Sequence, residues 1–185
     1  MTHPLLRPQP LRAWQFEDLL DTPDDGYRYE ILDGSLIVTP APPMPHFTTL
    51  YRLRRALEKQ APPNIVVGEN LGVLRHDGTS YFIPDVVVFD ANLLGTTVTA
   101  LPPAAAKLVI EVVSPSNPSN DLVIKRHGYA TLGVIEYWIV DPRAEEVLVL
   151  TKPGSGGYLV EEKRTDSMSG TAPFPYQLDL TEIFA

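Results

Sequence analysis

Apolar and polar positions along this chain recur with two distinct periods. Spacings of three and four residues mark helices. Leu50, Leu53 and Leu57 predict one over residues 46–60, and another runs from a cap at Ser119 or Asn120 to Leu132, where Gly133 stops it. A shorter helix is expected over 11–20, ending at Asp21-Thr22-Pro23. Strand patterns fill most of the remainder. Residues 27–32 and 35–39 flank Asp33-Gly34, the turn pair of a two-residue hairpin. Residues 64–75 and 80–89 read as a second hairpin across His76-Asp77-Gly78-Thr79, residues 136–140 as a strand, and 147–151 with 158–162 as a third hairpin. Between them, Pro40-Ala41-Pro42-Pro43-Met44-Pro45 predicts a stiff, irregular connection. Residues 92–103 and 165–175 lack periodicity and read as loops, the first long enough for a lid, and a short turn closes the chain.

Two runs depart from simple alternation. Residues 82–89 and 108–113 are rich in valine and nearly continuous in apolar character, as expected of interior strands covered on both faces. Each is interrupted by one acid, Asp85 in the first and Glu111 in the second. An ionised carboxylate inside such a run destabilises the fold unless a cation or hydrogen bonds compensate it. Strand alternation puts Asp85 on the face of Val87 and Phe89, and Glu111 on the face of Val109 and Val113. If the strands are neighbours, the two acids meet, and an oxygen-rich site of that kind suits magnesium or manganese better than zinc.

Composition narrows the picture. With 185 residues and 44% hydrophobic content, a single domain over residues 1–185 is expected, with residues 1–10 as an extended N-terminal arm. The absence of cysteine excludes disulfides, thiolate metal sites and a cysteine nucleophile, and it fits a reducing cytoplasm. No apolar run reaches membrane-spanning length. The glycines at 154, 156 and 157 lack a following Gly-Lys-Ser or Gly-Lys-Thr, which argues against a nucleotide-phosphate loop. The formal charge of −8 and pI near 4.9 oppose strong non-specific binding to nucleic acid. Arg52, Arg55 and Lys59 form the best basic stripe available, on the helix over 46–60, although a solvated outer face is the commoner use of such charges.

Taken together, Pro84-Asp85, Glu111-Val112-Val113-Ser114-Pro115, Lys125, Tyr129 and the run from Gly133 to Pro142 resemble the Uma-type family of restriction-endonuclease-like proteins. Tyr29-Glu30-Ile31-Leu32-Asp33-Gly34, and His46 after a proline-rich loop, extend the resemblance over nearly the whole chain. It implies an α/β (α+β) fold of the PD-(D/E)XK nuclease superfamily: a mixed central β-sheet flanked by helices, with additional β-hairpins. It also implies Mg2+- or Mn2+-dependent hydrolysis of phosphodiesters, with DNA as the expected partner and a homodimer or higher homo-oligomer plausible for double-strand cleavage. On that basis Asp85, Glu111 and the backbone carbonyl of Val112 would hold the metal, with Glu30 completing its outer shell or helping to hold a second. In the superfamily a lysine falls two residues after the second acid, and here that position is Val113. Lys125, on the following helix, is the candidate replacement. Lys107 shares a strand face with Glu111, but four strand residues span ~13 Å, too far for the same water. His46 and Tyr129 are expected in support.

Other uses of these residues exist. Asp121, Lys125 and Tyr129 lie at i, i+4 and i+8, so Lys125 could form an ordinary ion pair with Asp121. Glu30 could be an exposed edge-strand glutamate. Tyr137 and Trp138 fit core positions better than base stacking. At the level of function, the alternatives are a nuclease-derived module that binds nucleic acid or protein without cutting, and a glycoside hydrolase using the two acids as acid and base.

Overall fold

A computed structural model of the chain describes residues 12–114 and 120–185. The N-terminal arm, the Ser119 cap and the turn at 115–118 lie outside the described residues, as do the side chains of Asn120 and Asp121. The predicted first helix is a 3-10 helix at Phe16–Asp21. Its N-terminus is boxed by Gln15 and Asp18, and the backbone N–H of Gln15 donates to the Asp18 carboxylate.

Strands β1 (Tyr27–Leu32) and β2 (Ser35–Pro40) form the expected hairpin, with Asp33 and Gly34 both at positive φ, 44° and 77°, as a tight two-residue turn requires. Helix α1 (Met44–Glu58) starts two residues before the sequence suggests, because Pro45 lies in its first turn, where proline sacrifices no intrahelical bond. The second predicted hairpin divides between two sheets. Here β3 (Ile65–Glu69) pairs with β6 (Val86–Asp90), whereas β4 (Val73–Leu74) pairs with β5 (Tyr81–Phe82). The chain leaves one sheet at Asn70, which takes φ 53°, and returns through Ile83-Pro84-Asp85, where proline removes a ladder donor. Hydrophobic patterning cannot register such a change of sheet, since both halves remain apolar.

Next come β7 (Leu108–Val112), a π-helical turn at Asn120–Lys125, α2 (Arg126–Leu132) and β8 (Glu136–Asp141). Gly133 ends α2 in the left-handed conformation, at φ 78°. The third hairpin is longer than predicted, with β9 (Glu146–Gly154) against β10 (Gly157–Arg164). Residues 165–175, read as a loop, contain β11 (Ser167–Gly170), which pairs with β12 (Tyr176–Asp179) before α3 (Leu180–Phe184). The strand escaped notice because Ser-Met-Ser-Gly offers one apolar residue, Met168, to its partner face. Within residues 92–103 the end is anchored rather than free: Leu101 is buried and exchanges backbone hydrogen bonds with Gly72 and Leu74.

The central sheet is six-stranded and mixed, in the order β10-β9-β8-β7-β6-β3, and a smaller sheet has the order β2-β1-β5-β4. Among the named strands of the described residues, β7 and β8 alone pair in parallel, and α2 lies in the crossover between them. Strand alternation sorts the core into two layers. Val86, Val88, Ile110, Trp138 and Val140 meet α1 and the C-terminal elements on one face. Val87, Phe89, Val109, Tyr137 and Ile139 meet Tyr129 and Ala130 of α2, together with Phe82, on the other. Tyr137 and Trp138 are thus core residues, fully buried.

Candidate active site

Five elements converge where the two sheets meet. The antiparallel register that sets Val86 opposite Ile110 carries Asp85 level with Glu111, so the acids stand on adjacent chain segments. Asp85 sits in the bend before β6 rather than within the strand, a correction to the sequence reading. Its Oδ2 accepts from the backbone N–H of Val112 at 2.9 Å, a donor that β6 no longer pairs once the chain turns away at Pro84. His46 Nε2 lies 3.0 Å from the same oxygen, and Arg28 Nη1 donates to Oδ1 at 3.1 Å. Burial acts to raise the pKa of Asp85. The His46 hydrogen bond and the charges of His46, Arg28 and Lys125 outweigh it and hold the carboxyl well below the usual carboxylate range.

A carboxylate only accepts, so His46 presents a proton to it at Nε2, leaving Nδ1 on the side of the ring away from Asp85. That nitrogen is buried with no hydrogen-bond partner among the described residues. Arg28 also donates to the carbonyl of Ile83 and to Asn70 Oδ1. Burial works against its charge, but Asp85, Glu111 and Glu30 together keep it firmly protonated. The sequence reading missed Arg28. A signal was present, since Arg28 and Glu30 are two apart in β1 and share a face, which pairs a cation with the acid already singled out.

Lys125 links the other acids. Its Nζ lies 2.7 Å from Glu111 Oε1 and 3.1 Å from Glu30 Oε1, with all three side chains almost fully buried. The π-helical turn, with its wider i to i+5 spacing, delivers Lys125 inward at the junction with α2. Tyr129, one turn on, donates to Glu111 Oε1 at 2.9 Å. Burial and then the neighbouring acids push its phenol well above its ordinary range, which keeps it a neutral donor. Glu30 is an interior residue of its sheet rather than an exposed edge glutamate. It accepts from the backbone N–H of Ile83 at 2.8 Å, while its Oε2 is buried without a hydrogen-bond partner among the described residues.

Val113 is a buried core residue on the α2 side, and Lys107 pairs with Asp90. The basic stripe stands apart from the acids: Arg52 is half-buried, Arg55 and Lys59 are exposed, and none lines the cavity at the site. That cavity measures about 610 Å³. Asp85, Glu111, Val112 and Lys125 line it beside Arg28, and Phe16, Leu19, Leu20, Tyr27 and Tyr81 supply apolar wall.

The donor chemistry fits a hard divalent cation. Asp85 and Glu111 offer carboxylate oxygens beside Val112, and Glu30 Oε2 is a buried acceptor lacking a donor. Three carboxylates, those of Asp85, Glu111 and Glu30, face the two cations Arg28 and Lys125. Among the described residues no three acidic or histidine side chains are already gathered as a ligand cluster, because Arg28 and Lys125 occupy the carboxylates.

Comparison with known proteins agrees with this architecture. Residues 15–182 match the model of the Uma2 family, described as "Putative restriction endonuclease". No curated protein matches the chain. Among solved structures, one from Anabaena variabilis, described as a "putative nuclease belonging to DUF820", superposes with a TM-score of 0.71 at 18% identity. The match covers 92% of this chain and 97% of that one, and at such identity it shows the shared fold. A family model spanning β1 through α3, and with them every residue of the buried acid–lysine cluster, establishes that the chain belongs to the Uma2 family.

Proposed function

We propose that this protein is a Mg2+- or Mn2+-dependent endonuclease that hydrolyses phosphodiester bonds of DNA. The observation that carries the reading is the pairing of Lys125, from the π-helical turn, with Glu111 and Glu30 across the register from Asp85. This arrangement supports Lys125 as the lysine that Val113 does not supply. Asp85, Glu111 and the carbonyl of Val112 would hold the metal, with Glu30 Oε2 as a further acceptor. A bound divalent cation polarises the scissile phosphoryl group and acidifies water. Lys125 positions the attacking water against Glu111 and offsets charge growing on the phosphate. His46 and Val112 N–H fix the Asp85 carboxylate, and Tyr129 fixes that of Glu111. Arg28, at the cavity wall, is placed to leave Asp85 for a substrate phosphate, a bidentate use for which guanidinium is suited.

The test is nicking of supercoiled plasmid in Mg2+, Mn2+ or EDTA. Wild type nicks only with metal, and Glu111→Gln and Lys125→Ala each abolish nicking while still unfolding cooperatively. A second reading, a nuclease-derived binding module, draws on one observation: Arg28, His46 and Val112 N–H already satisfy Asp85. No nicking in either metal at high protein concentration and low salt would favour it.

A further inference from the structure

The outer face of α1 carries a feature the acid cluster does not use. Phe47, Tyr51, Arg55 and Lys59 recur every four residues, so they form one exposed ridge about 18 Å long. Phe47 is 53% exposed and Tyr51 43%, and their rings stack with centroids 6.3 Å apart. Arg55 donates to the Tyr51 hydroxyl at 2.9 Å, and its guanidinium lies 6.0 Å from the ring centroid. Two large aromatic rings held in water expose apolar area that a solvated helix has no reason to keep. Glu58, the nearby acid, is engaged by Arg54, so the charge of the ridge is positive. The cavity wall includes Pro40, Ala41 and Pro42, the residues leading into α1, while the ridge itself lies outside that wall.

We infer that this ridge binds single-stranded nucleic acid, with bases on Phe47 and Tyr51 and phosphates on Arg55 and Lys59. The inference deepens the nuclease reading by naming its substrate class. Stacking platforms beside cations are the sequence-tolerant way to hold a single strand. In a duplex, base faces are hidden and a ring ridge has nothing to stack on. The cavity supports the same choice. At about 610 Å³ it has the dimensions of a small-molecule site, with Asp85, Glu111 and Lys125 nearly buried beside apolar wall, a space on the scale of a single nucleotide.

Fluorescence anisotropy in EDTA and low salt, where no cutting occurs, tests this with a labelled oligothymidylate and a duplex of equal length. The oligothymidylate binds more tightly than the duplex, and Phe47→Ala and Tyr51→Ala each weaken it at least about fivefold. Both side chains are exposed, so the variants keep the wild-type melting temperature. Equal or tighter duplex binding overturns the inference, as does unchanged affinity in both variants. A self-association lost in Phe47→Ala, seen by sedimentation without oligonucleotide binding, assigns the ridge to a second copy of the chain and also overturns it. Since the readout is binding, a chain that nicks plasmid yet prefers duplex defeats this inference alone. One that binds single strands through the ridge and never cuts defeats the nuclease reading alone.

Discussion

Asp85 shows how a buried acid is kept ionised. Three donors from three elements reach its two oxygens: Val112 N–H, His46 and Arg28. Its folded pKa is depressed below the unfolded value, near 3.9. The sign follows from that: the stability it contributes is complete above about pH 4 and is lost as pH falls through the folded value. Urea unfolding of the wild type therefore weakens steeply below about pH 4, and Asp85→Asn is less stable at neutral pH with a shallower acid limb. Equal acid limbs in the two proteins would place the titration elsewhere. Lys125 makes the complementary case. Lys125→Met leaves Glu30 and Glu111 as buried carboxylates without their shared cation, a loss of about 3–5 kcal/mol by denaturant titration. Adding Glu111→Gln recovers part of it, whereas additive losses would mean the contacts are independent. At this scale the sequence was informative because acids in apolar runs demand partners. It pointed to Asp85 and Glu111, while Lys125 came from the family resemblance, and Arg28 was overlooked because a half-buried strand cation looks ordinary until its partner is in view.

At the scale of elements, α2 owes its position to a close approach. A Cβ on Gly128 would stand 2.5 Å from Phe82 Cζ and 2.7 Å from Cε2, so the helix can rest on β5 only without a side chain there. Gly128→Ala should destabilise by about 1–3 kcal/mol in urea, despite alanine's better helix propensity. Because the same helix carries Tyr129 and follows Lys125, nicking should fall as well; a stable, fully active variant would show that Phe82 yields freely. Elements with a strong local signature were legible: the Asp33-Gly34 hairpin, α1, β7, and Gly133 as the end of α2. Those decided by distant pairing were not. β3 through β6 each look like hairpin strands, and only the turns at Asn70 and Pro84 send them to different sheets. The π-helical turn also leaves no periodic trace, although it points Lys125 toward Glu111.

Across the whole molecule, the cluster is a joint between the two sheets. Glu30 belongs to the smaller sheet, Glu111 to the larger, Asp85 to the segment that passes between them, and His46 to the helix on the far layer. Three carboxylates facing two cations at that joint suit a divalent cation, and a ligand bound only by the folded state stabilises it by mass action. At about a hundredfold excess over its dissociation constant, the gain is ~2.7 kcal/mol. For a chain of this length that raises the melting temperature by roughly 5–10 °C. Scanning fluorimetry should therefore show Mn2+ raising the wild-type melting temperature, with EDTA reversing it. Asp85→Asn and Glu111→Gln should lose the increment, because each removes a carboxylate facing the cation. Arg28→Met should keep or enlarge it, since Arg28 competes with the metal for Asp85. An equal Mn2+ shift in all four proteins would put the cation elsewhere on an acidic surface and leave this joint held by Lys125 and Arg28 alone.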